Sequence, residues 1–182
     1  MTARGPRVLV VSASRHGATA EIAAALARGL SECDAGRSVG VRAVAVPVEQ
    51  RPDPGPFDAV LLGSAVYAGH WLDPAATYVS QHAEVLRRRP LWLFSSGPIG
   101  EPPFPPDEPY EVAPLMKVTG ARGHAVFPGR LDKSRLSFGE RAMVTAMRAP
   151  LGDFRDWNAV RAWASEIAGE IVTRADAPAV PY

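Results

Sequence analysis

The run Ser12-Ala13-Ser14-Arg15-His16-Gly17-Ala18-Thr19 stands between the apolar stretch Val8 to Val11 and a segment where Ile22, Leu26 and Leu30 recur every four residues. A buried strand therefore passes through a short polar turn into an amphipathic helix. Backbone amides at such a junction lack helical partners and sit at the positive end of the helix dipole, an arrangement suited to a phosphate. Ser14 and Thr19 add hydroxyl donors, Arg15 can make a charge-assisted contact, and Gly17 permits close backbone approach and a positive φ. A capped turn with no ligand has the same spacing. The run matches neither G-x-G-x-x-G nor the phosphate pattern ending in G-K-[ST].

A second group of residues follows the strand-like Asp58 to Ser64, in the loop Ala65 to Leu72. Tyr67 there can offer an aromatic face to a flat ligand, or simply pack at a sheet edge. His70, with an ordinary pKa near neutrality, is a candidate for assisting proton transfer. His82 and His124 are read as structural, and no histidine and carboxylate spacing suggests a metal. A third turn, Ser95-Ser96-Gly97-Pro98-Ile99-Gly100, contains no aromatic residue. Ser64, Ser95 and Ser96 lack the G-x-S-x-G elbow of a hydrolase.

The elements that must position these groups alternate strand and helix patterns, as in a parallel sheet covered on both faces. Strands are expected at Arg7 to Val11, Val39 to Val46, Asp58 to Ser64, Leu91 to Phe94 and Gly123 to Phe127. Between the second and third, Pro47 to Pro56 holds four prolines and has no room for a full crossover helix. Asp73 is expected to cap the next helix, with Pro74 in its first turn. Gly100 to Pro109 holds five prolines and is read as irregular. A short helix over Ala113 to Thr119 is stopped by Gly120. The final helix starts near Asp156 and buries Val160, Trp163, Ile167 and Ile171. The reading is one α/β domain over residues 1–182: a doubly wound, five-stranded parallel sheet of order 2-1-3-4-5. Its crevice opens beyond strands 1 and 3, where the unusual loops lie.

A long insertion precedes the last helix, about 129–155, well beyond the usual connection of about four to six residues. Within it a helix is expected from Phe138 to Arg148, with Leu136, Phe138, Met143, Val144 and Met147 as one apolar side. Arg130, Lys133, Arg135, Arg141 and Arg148 add positive charge, so residues 130–148 could contact membrane headgroups or a lipophilic molecule. Packing onto the domain fits the same periodicity. Residues 175–182 read as a loose tail.

Composition limits the functions. The chain carries 20 Lys and Arg against 19 Asp and Glu, a formal charge of +1, which gives no electrostatic case for nucleic acid. Cys33 is the only cysteine, excluding an internal disulfide and cysteine metal clusters. No signal segment is visible, and no apolar stretch approaches the roughly 18 residues of a membrane-spanning helix. The expected location is cytoplasmic.

SASRHGATAEIA resembles the phosphate loop of flavodoxins, and FDAVLLGSAVYAGHW resembles their third strand with its flavin-ring loop. The resemblance is closest to the menaquinone-dependent protoporphyrinogen IX dehydrogenase branch, through FSSGPIG and GRLDKSRLSFGERAMVTAMRAPLGDFRDW, and spans roughly residues 7–173. It implies FMN, or a related deazaflavin. The phosphate would lie on Ser14, Arg15, His16, Gly17, Ala18 and Thr19, and the ring between Ala65, Val66, Tyr67, Ala68 and Gly69 on one side and Ser96, Gly97, Pro98, Ile99 and Gly100 on the other. Arg15, His16 and Ala18 depart from the family's usual threonines and asparagine. The lack of an aromatic residue at 95–100 leaves one ring face more open, to meet a substrate. The activity implied is FMN-dependent oxidation of a reduced organic compound, with electrons passing to a quinone-like acceptor. An electron-transfer flavodoxin is the second reading, although such shuttles dock through acidic surfaces. A non-catalytic binding or regulatory module with weakened FMN affinity is the third.

Overall fold

The computed structural model describes residues 4–97, 99 and 108–175. Strand β1 (Arg7–Ala13) leads into helix α1 (Ala18–Glu32), a short helix α2 (Asp34–Val39) and β2 (Arg42–Pro47). Then come β3 (Ala59–Tyr67), β4 (His70–Trp71), α3 (Asp73–Arg87) and β5 (Leu91–Ser96). The remaining described elements are α4 (Val112–Thr119), β6 (Gly123–Phe127), β7 (Arg130–Leu131), α5 (Phe138–Ala146), β8 (Gly152–Asp153) and α6 (Trp157–Ala175).

Five strands form the expected parallel sheet, in the order β2-β1-β3-β5-β6. This is the doubly wound 2-1-3-4-5 order once the two-residue antiparallel β4 is set aside. Alternate side chains divide the core between two layers. Val8, Val10, Leu61, Trp92 and Phe94 pack with α1 and α6 residues such as Leu26 and Ile167. Leu9, Val11, Leu62 and Leu93 face Tyr78 and Val79 of α3 and Val112 of α4. Residues i and i+2 of a strand share a face, so near-continuous apolar strands supply both layers at once.

Three local expectations need correction. Residues 34–39, with Val39 read as the start of β2, form α2: Cys33 Sγ accepts the Gly36 N–H at 3.3 Å, and Gly40 closes the turn at φ 69°. The segment from Ala65 is not a loop. The third strand continues to Tyr67 and returns through Ala68 and Gly69, whose φ values of 49° and 81° suit a tight two-residue hairpin turn. Leu72, not Asp73, is the N-cap of α3; its carbonyl accepts the Ala75 N–H, and Pro74 opens the helix. The expected helix over Ala113 to Thr119 is present as α4, closed by Gly120 at φ 68°.

Candidate functional site: a cleft at the carboxyl edge of the sheet

Register decides which loops can meet. Ala13 pairs with Ser64, Ser64 with Ser95, and Ser95 with Val126, so one row crosses the sheet at the carboxyl ends of four strands. The turns that follow these residues must therefore leave the same edge. One cleft there is lined by Ser14, Arg15, His16, Ala18 and Thr19, by Ala65 to Ala68, and by Ser96, Gly97 and Ile99. The three groups singled out in the sequence are thus brought together, although Gly17 and Gly69 do not themselves line the cleft. Pro98 and Gly100 lie outside the described residues.

At the first group Gly17 is the N-cap of α1, at φ 87°. The first helical bond runs from Glu21 N–H to Gly17 O at 3.0 Å. The amides of Ala18, Thr19 and Ala20 consequently project from the helix end, as a bound anion requires. Ser14 Oγ accepts the Gly17 N–H at 3.1 Å, which keeps its own hydrogen available to donate. Thr19 is buried. These donors fit a phosphate group.

Arg15 and His16 are engaged elsewhere. Arg15 Nε lies 2.9 Å from Glu140 Oε1, and His16 Nε2 lies 3.2 Å from the same oxygen. The Arg15 guanidinium also sits 5.2 Å from the centre of the Tyr67 ring, with the His16 ring 6.4 Å away. Tyr67 is half-buried. Burial raises its phenol pKa, Glu140 adds to the effect, and Arg15 opposes it. The phenol stays neutral.

The close approach of the loops depends on Gly97. A Cβ there would stand 2.9 Å from Val66 Cβ, and one on Gly129 would stand 3.3 Å from Gly97 Cα. Gly97 N–H donates to Phe127 O at 3.3 Å.

His70 stands apart. Its Nδ1 is 2.6 Å from Glu111 Oε1 and its ring 4.9 Å from that of Tyr110, and it does not line the cleft. Glu111 Oε2 accepts the Trp71 N–H at 3.0 Å. Burial pushes the Glu111 carboxyl up, but these bonds outweigh it and hold the pKa below the usual value. His70 and Glu111 thereby pin the hairpin to the start of α4.

The insertion is the largest departure from expectation. Its helix ends at Ala146, two residues early, and Arg148 takes a left-handed φ of 50°. Its apolar residues do not share one packed side: Leu136 is buried and Val144 half-buried, while Met143 and Met147 are exposed and Phe138 is 89% exposed. Helical spacing accounts for this. Glu140, Met143, Val144 and Met147 follow the i, i+3, i+4, i+7 rule and form one face, from which Phe138 is turned away. Leu136, Met143, Val144, Met147 and Ala149 line the cleft. The insertion therefore forms part of the wall of the cleft that residues of 14–19, 65–68 and 96–99 line.

Ion pairs between residues far apart in the sequence, which no local spacing announces, hold the insertion down. Glu21, in the first turn of α1, pairs with Arg130 at 3.0 Å and with Arg155 at 2.6 Å. Arg155 also holds Asp153, at 2.6 Å. The Arg155 bond lowers the Glu21 pKa most; burial raises it, and Arg130 lowers it further. Ser137 and Glu140 form a reciprocal capping box at the start of α5, a signature readable as S-x-x-E. Among the described residues no cluster suited to a metal ion is found, and no helix is long and apolar enough to cross a membrane.

Comparison with known structures agrees with this architecture. A flavodiiron core from Synechocystis matches with a TM-score of 0.63 at 14% identity, over 96% of this chain and 38% of that one. The chain thus spans well under half of that protein's length. A flavodoxin from the domain Archaea matches with a TM-score of 0.59 at 14% identity, over 91% of this chain and 98% of its own. For a flavodoxin from Pseudomonas aeruginosa the values are 0.55, 14%, 92% and 99%. Identities this low carry the fold alone. No curated protein matches the chain. A family model described as a flavodoxin domain matches residues 9–158, and with most of its length covered the chain belongs to the flavodoxin-domain family.

Proposed function

We propose that this protein is an FMN-dependent oxidoreductase that takes electrons from a reduced organic substrate and passes them to a quinone-like acceptor. The observation that carries this reading is the convergence of the α1 amides and the Tyr67 hairpin on one cleft. Ser14 and the amides of Ala18 to Ala20 would hold the phosphate. Tyr67 would stack on a flat ring with the face that Arg15 leaves uncovered. Val66, Ala68, Gly69, Ser96 and Gly97 would border the ring, and Met143, Val144 and Met147 would shield it from water. Bound FMN would supply the two-electron redox chemistry, and the protein's part is to bind, orient and enclose it. His70 is assigned to holding the hairpin. A deazaflavin offers the same ring shape and phosphate.

The finer reading, an activity like that of protoporphyrinogen IX dehydrogenase, rests on the sequence resemblance through the insertion. Supporting it, Phe138 is 89% exposed on the outer side of α5 and the exposed Arg141 follows one turn later, a pairing suited to a lipophilic partner or to membrane headgroups.

Titrating FMN into the purified protein tests the cofactor. Fluorescence quenching with micromolar or tighter affinity is expected, and absence of binding overturns the reading. An anaerobic mixture of the loaded protein, a reduced porphyrin and a quinone then tests the reaction. Turnover is expected; electron transfer to a protein acceptor without turnover would make the protein a shuttle.

A further inference from the structure

The two basic residues of the phosphate-type loop both contact one carboxylate of the insertion, Glu140. Glu140 is turned inward, its side chain 10% exposed. Its Oε2 accepts the Ser137 N–H at 2.8 Å. Its Oε1 receives Arg15 Nε at 2.9 Å, and His16 Nε2 lies 3.2 Å from the same atom. A carboxylate only accepts, so the hydrogen on that contact belongs to His16. Arg135, from the same insertion, donates to His16 O at 3.0 Å. Apolar packing of α5 is thin, because Phe138, Met143 and Met147 are all exposed.

We infer that Arg15, His16 and Glu140 form a latch that positions the insertion as a wall of the cleft, and that Arg15 and His16 do not ligate the phosphate. This rests on the flavin reading above. The physical reason lies in where the charges go. Glu140 already takes the Arg15 Nε–H and the His16 Nε2–H on one oxygen. A phosphate dianion taking those two hydrogens would have to displace a carboxylate that α5 itself holds in place through Ser137. The phosphate therefore falls to the backbone amides and Ser14, and the latch acts on the ring through Met143, Val144 and Met147. Opening the latch lowers the fraction of protein with a complete cleft and weakens every ligand of that cleft by the same factor.

This gives a test with opposite signs. FMN and riboflavin, which share the ring but not the phosphate, are titrated into the unsubstituted protein, Arg15→Gln and Glu140→Gln. Glutamine can keep the capping box, so the second substitution removes charge while preserving the helix start. A latch predicts that both substitutions weaken FMN and riboflavin alike, by about three- to tenfold, the loss of one charge-assisted bond. A phosphate role for Arg15 predicts that Arg15→Gln weakens FMN and spares riboflavin, and that Glu140→Gln tightens FMN by removing a competing anion. That pattern overturns the inference.

A second readout needs no flavin. Trypsin cleavage after Lys133, Arg135, Arg141 and Arg148 should accelerate in both ligand-free variants; unchanged cleavage in both also overturns the latch. If the unsubstituted protein binds neither ligand, the cofactor reading fails, and the protease measurement still decides the latch.

Discussion

Ser95, His124 and Glu108 are spaced like a nucleophile, base and orienting acid, yet their hydrogen bonds give them a different role. Trp71 Nε1 lies 2.8 Å from Ser95 Oγ, and an indole can only donate. Ser95 therefore accepts there and donates to His124 Nε2, also at 2.8 Å. His124 is left with its hydrogen on Nδ1, directed at Glu108 Oε1 at 2.8 Å. Ser95 is fully buried, so it ties the β4 hairpin to β6 and has no access to a substrate. Burial lowers the His124 pKa below its usual 6.5, against the opposing pull of Glu108. The unfolded chain thus binds a proton at higher pH than the folded one. The stability linked to His124 is complete above about pH 6.5 and is lost as pH falls toward the lowered folded value. His124→Gln retains an acceptor for Ser95 and does not titrate. Its thermal midpoint should fall less than that of the unsubstituted protein between about pH 7.5 and 5.5; equal slopes would remove His124 from this role. The chemistry-bearing residues legible in the sequence were those within one turn, such as Ser14 to Thr19 and Tyr67. Glu140 escaped notice because its partners Arg15 and His16 lie more than a hundred positions away, and only its local S-x-x-E pattern could have flagged it.

Strong periodicity made α1, α3 and α6 readable as elements. In α6 the four-residue spacing buries Val160, Ala164, Ile167, Ala168 and Ile171, while Trp163 is only half-buried, with its ring 5.7 Å from Phe127. Short elements fared worse. The hairpin β3-β4 depends on Ala68 at a positive φ, a conformation that residue type does not announce, and α2 on a thiol acting as helix cap. The docking of the insertion on α1 is likewise a tertiary matter, and Glu21 is its pivot. Arg155 donates to Glu21 Oε2 at 2.6 Å and stacks over Trp157 at 4.5 Å, and Arg130 grips both Glu21 oxygens at 3.0 and 3.2 Å. Glu21→Gln should cost about 1 kcal/mol at neutral pH, a figure kept small because the carboxylate is part-exposed and screened. Glu21 has a lowered pKa, so its contribution is present above the ordinary carboxylate range and fades as pH falls through the lowered value. Denaturant curves of the two proteins should accordingly differ near pH 7 and converge in acid. A constant difference down to low pH would mean that something other than this charge was lost.

At the scale of the whole molecule, strand order followed from the rhythm of strands and helices, whereas the place of the insertion did not. Periodicity showed that residues 129–155 were numerous and partly apolar, but it could not show that they fold back over the cleft. The structure also separates what the sheet needs from what the cleft needs. Phe154 N–H donates to Gly129 O at 3.0 Å, so the insertion leaves and rejoins the body at nearly one point. Neither core layer draws a buried residue from 130–153. Excising 130–153 and joining Gly129 to Phe154 through two glycines should therefore leave a cooperatively folding sheet. Arg155 would keep its bond to Glu21 and lose Asp153. The cleft would lose Met143, Val144 and Met147, together with the carboxylate that holds Arg15 and His16. FMN and riboflavin should both bind more weakly to the excised protein than to the parent, with near-native circular dichroism in each. Loss of cooperative unfolding would show that the sheet itself depends on the insertion. Undiminished flavin affinity would show that the phosphate amides and the Tyr67 hairpin suffice, and that the insertion walls nothing the ligand touches.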